Sequence, residues 1–206
     1  MINSYDDYIY YLNADRIALG RTNKNQISFE RRIKNFLIKD YVWTFQKLMR
    51  KLEYYKNCGT GLTNKIRVAF LSWQYHKLSI KLGFYIPVNT CGPGLSIAHV
   101  GTIIINKGAV IGSNCRIHCG VNIGTKAGYS DKAPKIGNNV YIGPGAKIYG
   151  DISIANNVAI GANSVVNKSI TVENVTVAGV PSRIVSENID IFKILIPATL
   201  IVRGEK

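Results

Sequence analysis

Aliphatic residues return at every sixth position through the second half of the chain. Ile105, Ile111, Ile117 and Ile123 open the series; Ile136, Ile142, Ile148, Ile154, Ile160, Val166 and Val172 continue it. Glycine follows directly in Ile111-Gly112, Ile123-Gly124, Ile136-Gly137, Ile142-Gly143 and Ile160-Gly161. A repeat this short holds one strand and one turn, and such repeats stack as a parallel β-helix. The aliphatic side chain points inward. A smaller residue four positions on (Ala109, Cys115, Val121, Val140, Ala146, Val158, Ser164) fills the space beside it. Asn and Gly supply the corners, some at positive φ, and three strands make one coil of a triangular prism. The period breaks twice. Ile123 and Ile136 lie 13 residues apart, one more than two repeats. The stretch from Thr125 to Lys135 lacks inward aliphatics and reads as a loop ejected from the prism. Between Ile97 and Ile105 the register slips by two, around His99.

The first part of the chain has a helical period instead. Ser4 caps a first helix with Asp6 and Asp7 in its first turn, where carboxylates favour the positive end of the dipole, and Gly20 stops it. A polar linker runs from Arg21 to Gln26. Ser28 opens a longer helix in which Ile33, Phe36, Leu37, Tyr41, Phe45, Leu48, Met49 and Leu52 recur at helical spacing. A turn-rich break follows at Asn57 to Asn64, and a third helix runs from Lys65 to Leu82, ending at Gly83. The aromatic residues here (Trp43, Tyr54, Tyr55, Trp73, Tyr75) suit helix packing better than a ligand cage. The predicted fold class is α+β: a helical N-terminal domain over residues 1–84, a parallel β-helix with one ejected loop over 85–185, and an apolar tail over 186–206.

Composition changes this picture in three respects. The hydrophobic content of 47% and charged content of 18% fit a folded protein. Twenty-six Lys and Arg against 12 Asp and Glu give +14, which favours anionic partners; residues 1–84 carry +9 of it. No nucleic-acid-binding motif accompanies the charge. The cysteines Cys58, Cys91, Cys115 and Cys119 show no metal-ligand spacing and read as reduced thiols of a cytoplasmic protein. Met1 to Gly20 has no apolar core of a signal peptide, and no apolar run reaches the ~18 residues of a membrane span.

Several segments carry a more specific resemblance. Gly94-Leu-Ser-Ile-Ala-His99 to Ile105, Ile117-His-Cys-Gly-Val-Asn-Ile-Gly124, Ile142-Gly-Pro-Gly-Ala-Lys147, Ile160-Gly-Ala to Lys168 and Ala178-Gly-Val-Pro-Ser-Arg183 are similar to the serine acetyltransferase branch of the hexapeptide-repeat acyltransferases. The likeness covers about residues 86–185. The helical first part more loosely resembles the amino-terminal domain of serine-acetyltransferase-like proteins of capsule and exopolysaccharide gene sets. The resemblance implies a left-handed β-helix, a homotrimer or dimer of trimers, and acetyl-CoA bound between neighbouring prisms with no metal. It implies His99 as the general base; histidine suits the task because its unperturbed pKa is ~6.5. The other reading of His99 is an imidazole satisfied by a backbone carbonyl. By position, Thr125, Pro144 and Ala162 match places where backbone meets the pantetheine arm. Lys168 and Arg183 match cations that meet CoA phosphates, which charge-assisted hydrogen bonds would hold; both could equally be ordinary surface cations. His118, beside the ejected loop, is a candidate acceptor contact or a surface histidine. His76 lies in the third helix and reads as structural.

The chain also departs from that branch. Where serine acetyltransferases place Asp before the base, an Asp 15 residues upstream and a His in the loop, this sequence has Ala98, Phe84 and Ala133. These losses point to a sugar hydroxyl of a surface polysaccharide or its precursor as the acceptor. Serine O-acetylation for cysteine synthesis is the alternative, and a silent or metal-binding β-helix a third reading. The metal version needs three converging histidines, and only His99 and His118 lie in the repeats. The tail from Ile189 to Val202, interrupted by Asp190, Lys193 and Pro197, reads as packed on the β-helix or a neighbouring subunit. A peripheral contact with the inner membrane face is its second reading.

Overall fold

A computed structural model describes residues 1–21 and 40–205 of the chain. Helix α1 (Tyr5–Ala18) starts as expected, with Ser4 Oγ accepting from the Asp7 amide at 3.0 Å. Helix α2 (Tyr41–Cys58) does not continue unbroken from upstream. Asp40 is its N-cap, extended at φ −76° and ψ 98°, and its carboxylate accepts from the Trp43 amide at 2.9 Å. The short carboxylate satisfies a helix-end amide that an uninterrupted helix would have bonded to its own backbone. The rest of the expected helix from Ser28 and the Arg21–Gln26 linker, apart from Arg21, lie outside the described residues. Past Asn57, α2 runs one further residue, and α3 (Gly61–Leu82) begins almost at once and ends on Gly83 at φ 73°.

From Phe84 the chain winds as a parallel β-helix with three faces. Face A pairs Phe84–Tyr85, Ile103–Ile105, Asn122–Gly124, Lys147–Tyr149 and Val165–Val166. Face B holds Val110–Ile111, Lys135–Ile136 and Ser153–Ile154, extended by bridges at Cys91 and Ile170. Face C holds Ser96–Ile97, Arg116–Ile117, Tyr141–Ile142, Ala159–Ile160 and Thr176–Gly179, and Ser182–Ser186 closes it as an antiparallel strand. The inward aliphatics stack in register: Ile105, Ile123, Ile148 and Val166 on face A; Ile111, Ile136, Ile154 and Ile170 on face B; Ile97, Ile117, Ile142, Ile160 and Val177 on face C. All are buried, each contributing roughly 1.5–3 kcal/mol gross. The corner between faces B and C is an asparagine ladder. Asn114, Asn139 and Asn157 adopt positive φ; the Asn114 amide donates to the Asn139 side-chain carbonyl and the Asn139 amide to that of Asn157, both at 2.9 Å.

The beat ends earlier than the sequence suggests. Val172 is 49% exposed, and Ile170 takes the inward place above Ile154. The last coil is shortened at its A–B corner, so the chain reaches face B two residues sooner.

The helices are not a separate body. Phe45, Met49 and Leu82 join Phe84, Ile86 and Ile97 in the same core cluster, so α2 and α3 plug the first coil. A buried clasp fixes them there. The guanidinium of Arg50 donates to Asp15, Glu53 and the carbonyls of Cys91 and Gly92 at 2.7–3.3 Å. Asp15 accepts from the Leu95 amide and Glu53 from the Asn89 amide. The two carboxylates hold Arg50 protonated despite complete burial.

The tail packs back onto face C. Ile191 and Leu195 cluster with Ala159, Thr199 exchanges hydrogen bonds with Asn114, and the short helix α4 (Ala198–Arg203) contacts α1. No helix among the described residues is long and apolar enough to cross a membrane.

Candidate functional site

His99 stands exposed in the enlarged corner that carries the chain from face C to face A. The slip of two residues between Ile97 and Ile105 is this corner. It is braced from outside: the Gly101 amide donates to Leu82 carbonyl at 3.3 Å and the Ile103 amide to Gly83 carbonyl at 3.0 Å. The end of α3 thus fixes the loop that presents His99. Gly101 has φ 139°, and a Cβ there would lie 2.9 Å from Cys119 Cβ in the next coil, so the corner requires glycine.

One coil along, His118 is half-buried with its ring centroid 6.0 Å from that of His99. On its other side Tyr141 lies 5.1 Å away, and Arg116 Nε donates to His118 Nε2 at 3.4 Å. Burial, then Arg116, then His99 hold the His118 imidazole below the ordinary histidine range. His118 is therefore neutral at neutral pH and places no fixed charge beside His99. Arg116 and Tyr141 are the neighbours of His118 that the sequence reading missed. They precede Ile117 and Ile142 and pair directly across face C, so extending the six-residue register to the outward positions finds them.

The remaining candidates divide between two edges of the prism. Cys119, Pro144 and Ala162 occupy successive turns of the C–A edge below His99, linked by Gly145 N–H to Cys119 carbonyl at 2.9 Å and Asn163 N–H to Pro144 carbonyl at 2.8 Å. Pro144 and Ala162 are exposed. Arg183 is exposed on the hairpin that closes face C. Thr125 and Lys168 lie across face A, on the A–B edge, where the ejected loop leaves and the last coil turns. That loop is tied at its base by Lys126 N–H to Lys132 carbonyl at 2.9 Å. Its Tyr129 ring has the Lys126 and Lys132 ammonium groups 5.2 and 4.4 Å from its centroid. One chain brings His99, Pro144 and Ala162 onto one edge and leaves Thr125 and Lys168 on the other. His76 is exposed on α3, away from these edges. Among the described residues, no group of three or more His, Cys, Asp or Glu is placed to hold a metal ion.

Comparison with known proteins places this edge in a family context. Residues 133–168 match the family Bacterial transferase hexapeptide (six repeats). That match covers 36 of the 206 residues and lies wholly within the β-helix. The chain is similar to serine acetyltransferases of several organisms. That of Haemophilus influenzae is 34% identical over 157 residues, covering 76% of this chain and 51% of that protein. That of Synechococcus elongatus is 40% identical over 95 residues, 46% of this chain and 38% of that protein. The chain thus spans about half or less of the length of these relatives. Among solved structures, serine acetyltransferase in complex with coenzyme A from Brucella abortus superposes with a TM-score of 0.67 at 29% identity, covering 89% of this chain and 69% of that one.

These matches correct the acceptor expectation. A sugar of a surface polysaccharide, and nearness to capsule or exopolysaccharide proteins, find no counterpart among relatives that are serine acetyltransferases. The physical reason lies in the residues used for the inference. Phe84 is buried with its ring 5.0 Å from Phe45, and Ala133 is buried in the β-helix core. Both are packing residues. With Ala98, they record lost polar groups and supply no sugar-binding ones.

Proposed function

We propose that the chain is an acetyl-CoA-dependent O-acetyltransferase with serine as acceptor, working through a left-handed β-helix in a homotrimer. The observation that carries this is His99 at the head of a row of exposed corners, Pro144 and Ala162, in a fold shared with a serine acetyltransferase solved with coenzyme A. His99 takes the proton of the serine hydroxyl as the oxygen attacks the thioester carbonyl. The tetrahedral adduct collapses with cleavage of the C–S bond, and the imidazolium returns its proton to the departing thiolate. No enzyme nucleophile is needed. Pro144 and Ala162 offer backbone along the edge for the pantetheine arm, and Lys168 and Arg183 suit the CoA phosphates.

The division of candidates between two edges supports the trimer. Face A separates them by a strand of three residues, about 10 Å. The C–A edge of one prism set against the loop edge of the next would bring His99, Thr125 and Lys168 into one groove. Lys126 and Lys132 on that loop suit the carboxylate of an amino acid. Neutral His118 and Tyr141 wall the approach to His99, where Ala98 leaves no carboxylate partner.

Incubation with acetyl-CoA and L-serine, followed by mass spectrometry, tests the reaction. O-acetylserine and free CoA in equal amounts are expected. Hydrolysis of acetyl-CoA without acetylated serine would overturn the proposal.

A further inference from the structure

Among the described residues, helix α3 leaves one side bare. Only Leu71 and Leu82 of its 22 residues are buried. Leu62, Ile66, Phe70, Trp73 and Ile80 are each more than half exposed. At 100° per residue they fall within one arc of about 80°, a straight strip along a helix ~33 Å long. Cations border this strip. Lys65 lies on one side, Arg67 and Lys81 on the other, and Lys77 falls within it. The Lys77 ammonium sits 4.0 Å from the Trp73 centroid, Lys81 4.2 Å from Tyr41 and Arg67 4.7 Å from Tyr55. No Asp or Glu occurs anywhere in α3.

We propose that this side of α3 docks on an anionic lipid surface. The arrangement fits a bilayer interface: apolar side chains at the acyl boundary, an indole at headgroup level, and lysines reaching back to phosphates from the rim. Charge complementarity favours lipid over a second copy of the chain. Two such helices face to face would set one cationic border against another, and each chain already carries +14. The tail is less suited to the role, because Ile191, Leu195 and Ala198 are buried against the protein.

Co-sedimentation of the whole chain with phosphatidylcholine vesicles, with and without phosphatidylglycerol, tests the assignment. Binding to the anionic vesicles alone is expected, weakening as salt screens the lysines. The double variant Phe70→Glu, Trp73→Glu changes exposed residues only, so its melting temperature should match the parent while its vesicle binding falls at least about tenfold. Equal binding by parent and variant, or no binding to anionic vesicles, overturns the proposal. A fall in oligomer mass of the variant by light scattering, with no vesicle binding by the parent, overturns it in favour of a second copy. Each readout is independent of serine turnover.

Discussion

His118 shows how burial and two neighbours set one proton. Burial, the Arg116 guanidinium and His99 all disfavour its charged form, so its folded-state pKa lies below the unfolded value. The folded protein then binds this proton more weakly than the unfolded chain does. The contribution to stability is complete above the unfolded histidine range and is lost as pH falls through the depressed folded value. A His118→Gln variant, which carries no titrating group there, should lose less melting temperature than the parent between pH 7.5 and pH 5, a range that spans the free imidazole pKa of ~6.5. Equal losses in the two proteins would contradict the assigned cause. Burial favours the neutral form of Cys91 and Cys115 too, which for a thiol is the protonated one, and pushes them up to about 11 and about 12. They therefore behave as small apolar core residues, as their places in the repeat suggest. At this scale the sequence pointed to His99 because it stands at a corner where the repeat slips by two, whereas His118 sits in a regular step from Ile117 to Ile123. Arg116 and Tyr141 were harder to see, since their importance comes only from pairing across 25 residues of chain.

At the scale of elements, the six-residue period was legible because every inward residue meets its equivalent in the adjacent coil. Ile142 illustrates this: Ile117 and Ile160 flank it in register and it has no exposed surface. Ile142→Asp should therefore cost more than about 4 kcal/mol, the scale of an unpaired buried charge, measured as a shift in urea midpoint. A midpoint unchanged from the parent would sink the register. The errors fell where local chemistry overrides periodicity. Asp40 caps α2 inside an apolar pattern that reads as continuous helix, and a shortened corner moves the last inward position from Val172 to Ile170. The tail was ambiguous in sequence because Asp190, Lys193 and Pro197 interrupt its apolar residues. Asp190 in fact caps the turn that lets Ile191 and Leu195 fold onto face C, its carboxylate accepting from the Phe192 amide at 3.1 Å.

For the whole molecule, the main lesson concerns continuity. A division at residue 84 follows the change of composition, but Phe45 and Met49 share a core with the first coil, and Arg50 joins Asp15 and Glu53 to its backbone. No single-sequence pattern shows that clasp, because its partners lie 35 to 42 residues from Arg50 except for Glu53. Its consequence is positional: α2 and α3 are locked onto the β-helix, and the end of α3 braces the corner that carries His99. The same continuity explains the acceptor error. The sequence exposed which polar groups are missing near His99, while 89% of the chain superposes on a serine acetyltransferase with a TM-score of 0.67. The most direct measurement is serine-dependent thiol release from acetyl-CoA by the parent and by His99→Ala, with melting temperatures recorded alongside. The account predicts a fall in kcat of roughly 100- to 10,000-fold, the usual contribution of a positioned base, at an unchanged melting temperature. A variant that retains the parent rate would contradict it.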